Sequence, residues 1–256
     1  MNVQNIPRSQ KDVKRGFVPK LDAFLFFDYK AIEVRLLAYY LVRAINDRSL
    51  ADEIANGLDP HTVTAQGLYG SEKITDDERQ VGKTLNFSII YGGGTPTIMR
   101  QLGVDYLEAK RLLDAYHDTR PGIKRLREAI DKKLQQRGYV INTHGRRLHV
   151  EDSHKALNAL IQGSAADIMR QSVVNVSTHL DKHCSSHIIN IIHDELMLDV
   201  DKNEIKDLVY AVPTLMTPTD IDKVVPIEVD CEISYTNWAD KEEYDSATHV
   251  RDFQHV

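Results

Sequence analysis

The chain has 256 residues, 42% hydrophobic and 27% charged, with a net charge of −6. That length and balance suit an ordinary globular protein of one large domain or two small ones. No apolar run reaches the roughly 18 residues of a membrane span, the opening residues lack a signal-peptide core, and two cysteines, Cys184 and Cys231, argue against a disulfide framework or a C-x-x-C metal site. A cytoplasmic protein without membrane contact is expected. The charge is unevenly spread: residues 79–147 hold 14 Lys and Arg against 6 Asp and Glu, and residues 181–256 hold 6 against 17. A phosphate-binding surface beside a cation-binding one would look like this, and so would solvated helix faces followed by an acidic region.

The first twenty residues, with Pro7, Gly16 and Pro19, read as an extended lead-in. Ala23-Phe24-Leu25-Phe26-Phe27 is a continuous apolar run ending at Asp28, the pattern of a strand buried on both faces. Residues 31–45 suit a mostly buried helix. Asp59-Pro60-His61 has the cap and first-position proline of a helix start. A helix at 77–91 is broken by Gly92-Gly93-Gly94-Thr95-Pro96, and Arg120-Pro121-Gly122 separates helices at 105–118 and 121–137. A hairpin around Thr143-His144-Gly145 precedes a long helix at 154–181. Two apolar runs, Ile188–Ile192 and Leu196–Val200, flank His193-Asp194-Glu195 as a second hairpin. A helix near 203–212 and a strand near 225–233 complete an α+β pattern.

Within 77–91, Arg79, Lys83, Phe87 and Tyr91 recur every fourth residue. They stack along one helical face, drifting about 40° per step. The face offers two cations, a phenyl ring and a phenol, while Val81, Leu85 and Ile89 anchor another side. Two cations one turn apart with no acid between them are poor helix design unless an anion sits there. A triphosphate would be such an anion, with an aromatic beyond it for a base or sugar. Exposed cations on an ordinary amphipathic helix give the same pattern. Asp28 at a strand end and Asp194 in a tight turn are each ordinary turn residues when taken alone. Together they fit a carboxylate pair converging on hard cations.

These segments, in this order, resemble the family A DNA polymerases. Asp28-Tyr29-Lys30-Ala31-Ile32-Glu33-Val34-Arg35 is similar to that family's first polymerase motif. Arg79, Lys83, Phe87, Tyr91 and Gly92 match its second, and His193-Asp194-Glu195 its third. Lesser landmarks follow the same order: Asn2-Val3-Gln4-Asn5-Ile6-Pro7, Asp59-Pro60-His61, Gly138-Tyr139-Val140 with Gly145-Arg146-Arg147, Asn158 with Gln162-Gly163, and Asn237-Trp238.

The resemblance implies a palm with an antiparallel sheet and a mostly helical fingers subdomain. Palm would cover 1–45 and 138–256, and fingers 46–137. It implies template-directed DNA synthesis, adding dNTPs to the 3′-hydroxyl of a primer–template. Asp28 and Asp194 would hold two magnesium ions; Arg79 and Lys83 would clamp the triphosphate, with Lys83 a proton donor to the pyrophosphate. Phe87 would pack near the sugar, Tyr91 beside the base pair, and Glu33 would exclude a ribose 2′-hydroxyl. Asn158, Gln162 and His193 would touch the primer–template minor groove, where acceptors common to all pairs report shape. Arg146 and Arg35 are backbone or structural cations, and His61 and Trp238 packing residues.

The pattern departs in places. The thumb and exonuclease domain that usually precede the opening landmark are not in this sequence, so a split enzyme with those parts on a separate polypeptide, a fragment and a compact enzyme all remain open. Lys30-Ala31 and His154 stand where other residues are usual. A single-subunit RNA polymerase-like enzyme and a non-catalytic nucleic-acid-binding remnant are the rival readings. Glu33 and Phe87 favour deoxynucleotides over the first, and retention of Asp28, Lys83 and Asp194 opposes the second.

Overall fold

A computed structural model describes residues 6–7 and 9–245; the Asn2–Asn5 part of the opening landmark lies outside them. The chain divides into two compact units. One comprises Met1–Lys30, Ile168–Pro218 and Ile227–Val256, and the other Ala31–Asp167 and Thr219–Pro226. The lead-in is not wholly extended, since Lys11–Arg15 forms a short helix, α1.

The first unit is built on a five-stranded antiparallel sheet. The apolar run becomes β1 (Ala23–Tyr29), in which every residue but Asp28 is buried. The other strands are β4 (His187–Ile192), β5 (Glu195–Val200), β6 (Val229–Ser234) and β7 (Glu242–Glu243), in the order β4-β5-β1-β6-β7. Side chains alternate between faces along a strand, so β1 packs on both. Phe24 and Phe26 join Met197 and Trp238 in one cluster, and Trp238 stacks edge-on against Phe17 at 5.5 Å. Tyr29, on the opposite face, is buried, and its hydroxyl bonds to Ser172 Oγ at 2.7 Å and to the Met216 carbonyl. Burial pushes this phenol up to about 12 against the opposing effect of Ser172. Ser172 lies on α9 (Ala156–His183) and Met216 on α10 (Ile205–Met216). The α10 helix runs past the expected end near 212, through Pro213 to Met216.

The second unit is helical: α2 (Ile32–Ile45), α3 (Ser49–Ala55), α4 (Pro60–Tyr69), α5 (Asp76–Ile90), α6 (Thr95–Leu102), α7 (Tyr106–Thr119) and α8 (Pro121–Arg137), then a hairpin of β2 (Val140–Ile141) and β3 (Arg147–Leu148), the start of α9, and α11 (Thr219–Asp222). The starts follow from capping chemistry, because the first amides of a helix need acceptors. Asp59 accepts from Thr62 N at the head of α4, with Pro60 in the first turn. Thr75 and Glu78 form a reciprocal capping box at the head of α5.

Helices α4 and α5 lie unusually close. A Cβ on Gly82 would stand 2.4 Å from the His61 carbonyl oxygen, so only glycine permits this approach. Beside it runs a buried polar network. Asn86 donates to His61 Nδ1 (3.1 Å) and Thr64 Oγ1 (3.0 Å), and accepts from the Tyr116 hydroxyl (3.1 Å). Arg120, buried, donates to Thr64 Oγ1 at 3.1 Å and to Glu53 at 2.9 Å. Satisfied networks of this kind fix a unique arrangement, because leaving any member unpaired is costly.

His61 is a packing residue, as expected, with 6% exposure. Burial pulls its imidazole down to about 4; Arg79, Lys83 and Arg120 push the same way and Asp59 opposes them. The unfolded residue takes up its proton near 6.5 and the folded one only near 4. Between those values the unfolded chain holds more protons, so stability should fall as pH drops from 6.5 to 4. His61→Gln should flatten that portion of the profile, read as urea midpoints at pH 7 and pH 5. An unaltered slope would remove His61 as its source.

Candidate active site

Asp28 reaches the surface at the open end of β1. Its register partners are Glu195 on β5 and Asp230 on β6. Directly paired residues on antiparallel strands share a face, with Cβ atoms about 5 Å apart. Three carboxylates therefore stand in a row across three adjacent strands. Glu232, two residues along β6 from Asp230, points to the same side. Asp194 belongs to the two-residue turn joining β4 to β5, and its carbonyl accepts from Tyr29 N at 3.3 Å, which ties the turn to β1. His193, in the same turn, is exposed and has φ of 59°. Ala31, three residues after Asp28, has φ of 50°. Left-handed conformations cost non-glycine residues about 1–2 kcal/mol, and both of these stand beside the candidate aspartates.

A cleft of about 1030 Å³ opens here, lined by Asp28, Asp194, Glu195, Asp230 and Glu232 and by Lys11, Lys14, Lys30 and Lys241. Like charges set opposite one another destabilise a sheet unless cations answer them. Lys241 is one such cation. It is ion-paired with Glu195, lies 3.1 Å from Glu232, and sits 4.1 Å above the Phe26 ring. Among the described residues, no side chain bonds to the Asp194 carboxylate. Nor do three His, Cys, Asp or Glu side chains among them form a ready-made metal cage. Two acidic oxygen donors on an open cleft suit a hard cation that keeps water and takes further ligands from a substrate phosphate, the usual habit of magnesium.

The second unit carries the other expected residues. Arg79, Lys83 and Phe87 are half-buried on one side of α5, and Tyr91, capping the helix, is exposed. Phe87 stacks on Tyr91 with centroids 6.3 Å apart and lies 5.7 Å from His61. The Tyr91 hydroxyl donates to both Glu33 oxygens, at 2.8 and 3.0 Å, and so joins α5 to the first turn of α2. No acid stands between the two cations on α5, but Asp59, outside the helix, lies 2.8 Å from Arg79 Nε. Burial acts to raise the Asp59 carboxyl, but hydrogen bonds from Thr62 and Arg79 outweigh it and hold it down at about 2. Lys83 has no carboxylate partner among the described residues.

On α9, Asn158 has a buried side-chain oxygen with no hydrogen-bond partner among the described residues, and Gln162, one turn on, is exposed. Arg146 is held by Asp167 at 2.6 Å, while the other Asp167 oxygen accepts from Asn142, also at 2.6 Å. Arg35 is buried and donates to the Pro226 carbonyl, a structural role.

A profile of DNA polymerase family A matches residues 1–240. The chain belongs to DNA polymerase family A. It is 32% identical over 249 residues to DNA polymerase I of Lactococcus lactis subsp. cremoris, covering 90% of this chain and 28% of that protein. Against DNA polymerase I of Chloroflexus aurantiacus it is 33% identical over 258 residues, 93% of this chain and 26% of that protein. The chain thus spans less than a third of the length of these curated relatives. Among solved structures it is similar to the POL domain of Pol1 from M. smegmatis in complex with DNA primer-template and dNTP, with a TM-score of 0.81 and 26% identity over 93% of this chain and 44% of that one. The family fold, an antiparallel sheet with a helical majority, agrees with the α+β expectation.

Asp230, Glu232 and Lys241 were not singled out from sequence. The alternation in Val229-Asp230-Cys231-Glu232-Ile233 does carry a signal, since strand spacing puts both acids on one face. Lys241→Ala should leave Glu195 and Glu232 without their shared cation and lower stability by about 2 kcal/mol. Lys241→Arg should retain most of it. Thermal melts of the three proteins check this, and equal midpoints would count against the ion-pair role.

Proposed function

We propose that this family A chain carries out template-directed DNA synthesis, adding dNTPs to a primer 3′-hydroxyl. The observation that carries the reading is the acidic cleft at the head of β1, where Asp194 offers a carboxylate to which no side chain among the described residues bonds. In this reading the sheet unit is the core of the palm, and residues 46–137 are the fingers.

Asp28 and Asp194 would hold two magnesium ions, and Glu195 is withheld from them by Lys241. When bound, the metal supplies charge neutralisation for the transferred phosphate and a more acidic primer hydroxyl. The chain's own residues bind and orient. Arg79 and Lys83 meet the triphosphate, with Lys83 positioned to give a proton to the departing pyrophosphate. Phe87 and Tyr91 form an aromatic ledge for the sugar and the nascent base pair. Glu33, held by the Tyr91 hydroxyl, fills the space that a ribose 2′-hydroxyl would need. Asn158, Gln162, His193 and Arg146 contact the primer–template. The M. smegmatis relative, solved with primer-template and dNTP, supports DNA and deoxynucleotides as partners. A companion polypeptide carrying thumb and exonuclease parts belongs to the same proposal, and capture from the native host checks it.

Primer extension with magnesium tests the centre. Asp28→Asn and Asp194→Asn should each lower extension by at least about a thousandfold while leaving the melting temperature within a few degrees. Extension that survives either change rejects the metal assignment. Glu33→Ala should raise ribonucleotide incorporation relative to deoxynucleotide by about tenfold or more, and an unchanged ratio would remove Glu33 as the sugar discriminator.

A further inference from the structure

Asp59 lies outside the residues to which the proposed function gives a role. Its Oδ2 accepts three hydrogen bonds, from Thr62 N at 2.9 Å, Thr62 Oγ1 at 2.6 Å and Arg79 Nε at 2.8 Å. The first two cap α4; the third reaches across to α5. Among the described residues, Asp59 is the partner of the Arg79 guanidinium.

The contact is built into the packing and is no chance surface pair. Three successive points join α4 to α5: Asp59 to Arg79, the His61 carbonyl against Gly82, and the His61–Thr64 pair against Asn86. Gly82 and Asn86 are buried, which fixes the register of the two helices. The carboxylate therefore stands at a set place beside the root of the guanidinium. An arginine fork has five N–H donors in one plane. A carboxylate on Nε takes the inner edge and leaves the terminal NH1 and NH2 groups for another anion. A flexible arginine surrenders side-chain entropy when it binds a ligand, and prior ordering removes part of that cost.

We propose that Asp59 is a positioning residue for the nucleotide: it aims the Arg79 terminal N–H groups at the β- and γ-phosphates of the incoming triphosphate. This rests on the reading of α5 as the triphosphate face. Asp59 does not compete with the phosphates for Arg79, because the two anions use different edges of the same plane.

The test uses the full chain with primer–template and magnesium, measuring dissociation constants for dATP and dAMP by displacement of a fluorescent dATP analogue, together with single-nucleotide incorporation. Asp59→Ser keeps a short capping oxygen for α4 but does not reach Arg79. It should weaken dATP about tenfold, leave dAMP within about twofold, and raise KM far more than it lowers kcat. Asp59→Asn, which still accepts from Nε, should recover most of the dATP affinity. In an Arg79→Ala background, Asp59→Ser should change dATP binding no further. Unchanged or tighter dATP binding in Asp59→Ser overturns the inference, and tighter binding marks Asp59 as a competitor. Equal weakening of dATP and dAMP, or a persistent effect without Arg79, reduces Asp59 to a helix cap and overturns it too. If Arg79→Ala itself leaves dATP binding unaltered, the triphosphate reading of α5 fails, and the inference goes with it. Asp59→Ser failing while Arg79→Ala weakens binding sinks the inference alone.

Discussion

Hydrogen bonding within one antiparallel sheet sets Glu195, Asp28 and Asp230 side by side, and the rest of the sheet unit accommodates that row. Carboxylates at this spacing repel, so the strands must be held together by something stronger. Below the row, β1 is buried on both faces, by Phe24 and Phe26 on one and by Leu25, Phe27 and Tyr29 on the other. Burying large apolar side chains contributes roughly 2 kcal/mol each, enough to hold acids at the strand ends. Lys241 offsets part of the repulsion and, in doing so, engages Glu195 and Glu232. Asp28, Asp194 and Asp230 line the same cleft and are not ion-paired with Lys241.

The helical unit obeys a complementary constraint. Helix α5 carries Arg79, Lys83, Phe87 and Tyr91 along one side, and its grip on the unit comes from residues beside and behind them. Leu85 and Ile89 supply apolar burial, Gly82 allows close approach, and Asn86 supplies direction through its hydrogen bonds. The presented side is itself ordered: Asp59 holds Arg79, and Glu33 holds Tyr91. A side chain ordered before its ligand arrives loses less entropy on binding.

Strands and helices with a single dominant signal were legible in the sequence. The apolar run of β1, the Asp59-Pro60 start of α4 and the four-residue repeat on α5 each follow from local chemistry and appear in the structure. Short elements were not: α1, α3, α11 and β7 span only two to seven residues, too few to show a period, and α6 lay hidden behind the glycine run that precedes it. The site was half legible. Asp28, Asp194, Arg79 and Lys83 stood out because charges at a strand end, in a turn or in a repeat are conspicuous. Asp230 and Lys241 come into the cleft only through pairing of β1 with β6, whose register no local pattern specifies. The Asp59–Arg79 pair was not legible either, since the two residues stand twenty apart in the sequence.

The row of carboxylates also has a long-range electrical meaning. The sheet end projects a negative potential, whereas the stretch around α5 to α8 is rich in lysine and arginine. A polyanion nearing the sheet end alone would be repelled, and divalent counterions would reverse the local sign. Added salt weakens the grip of lysines and arginines on a phosphate backbone. Divalent ions at the carboxylates would work in the opposite direction. On the proposed function, ionic strength and divalent concentration would be separate controls on nucleic-acid binding, and experiments that vary both together would confuse them.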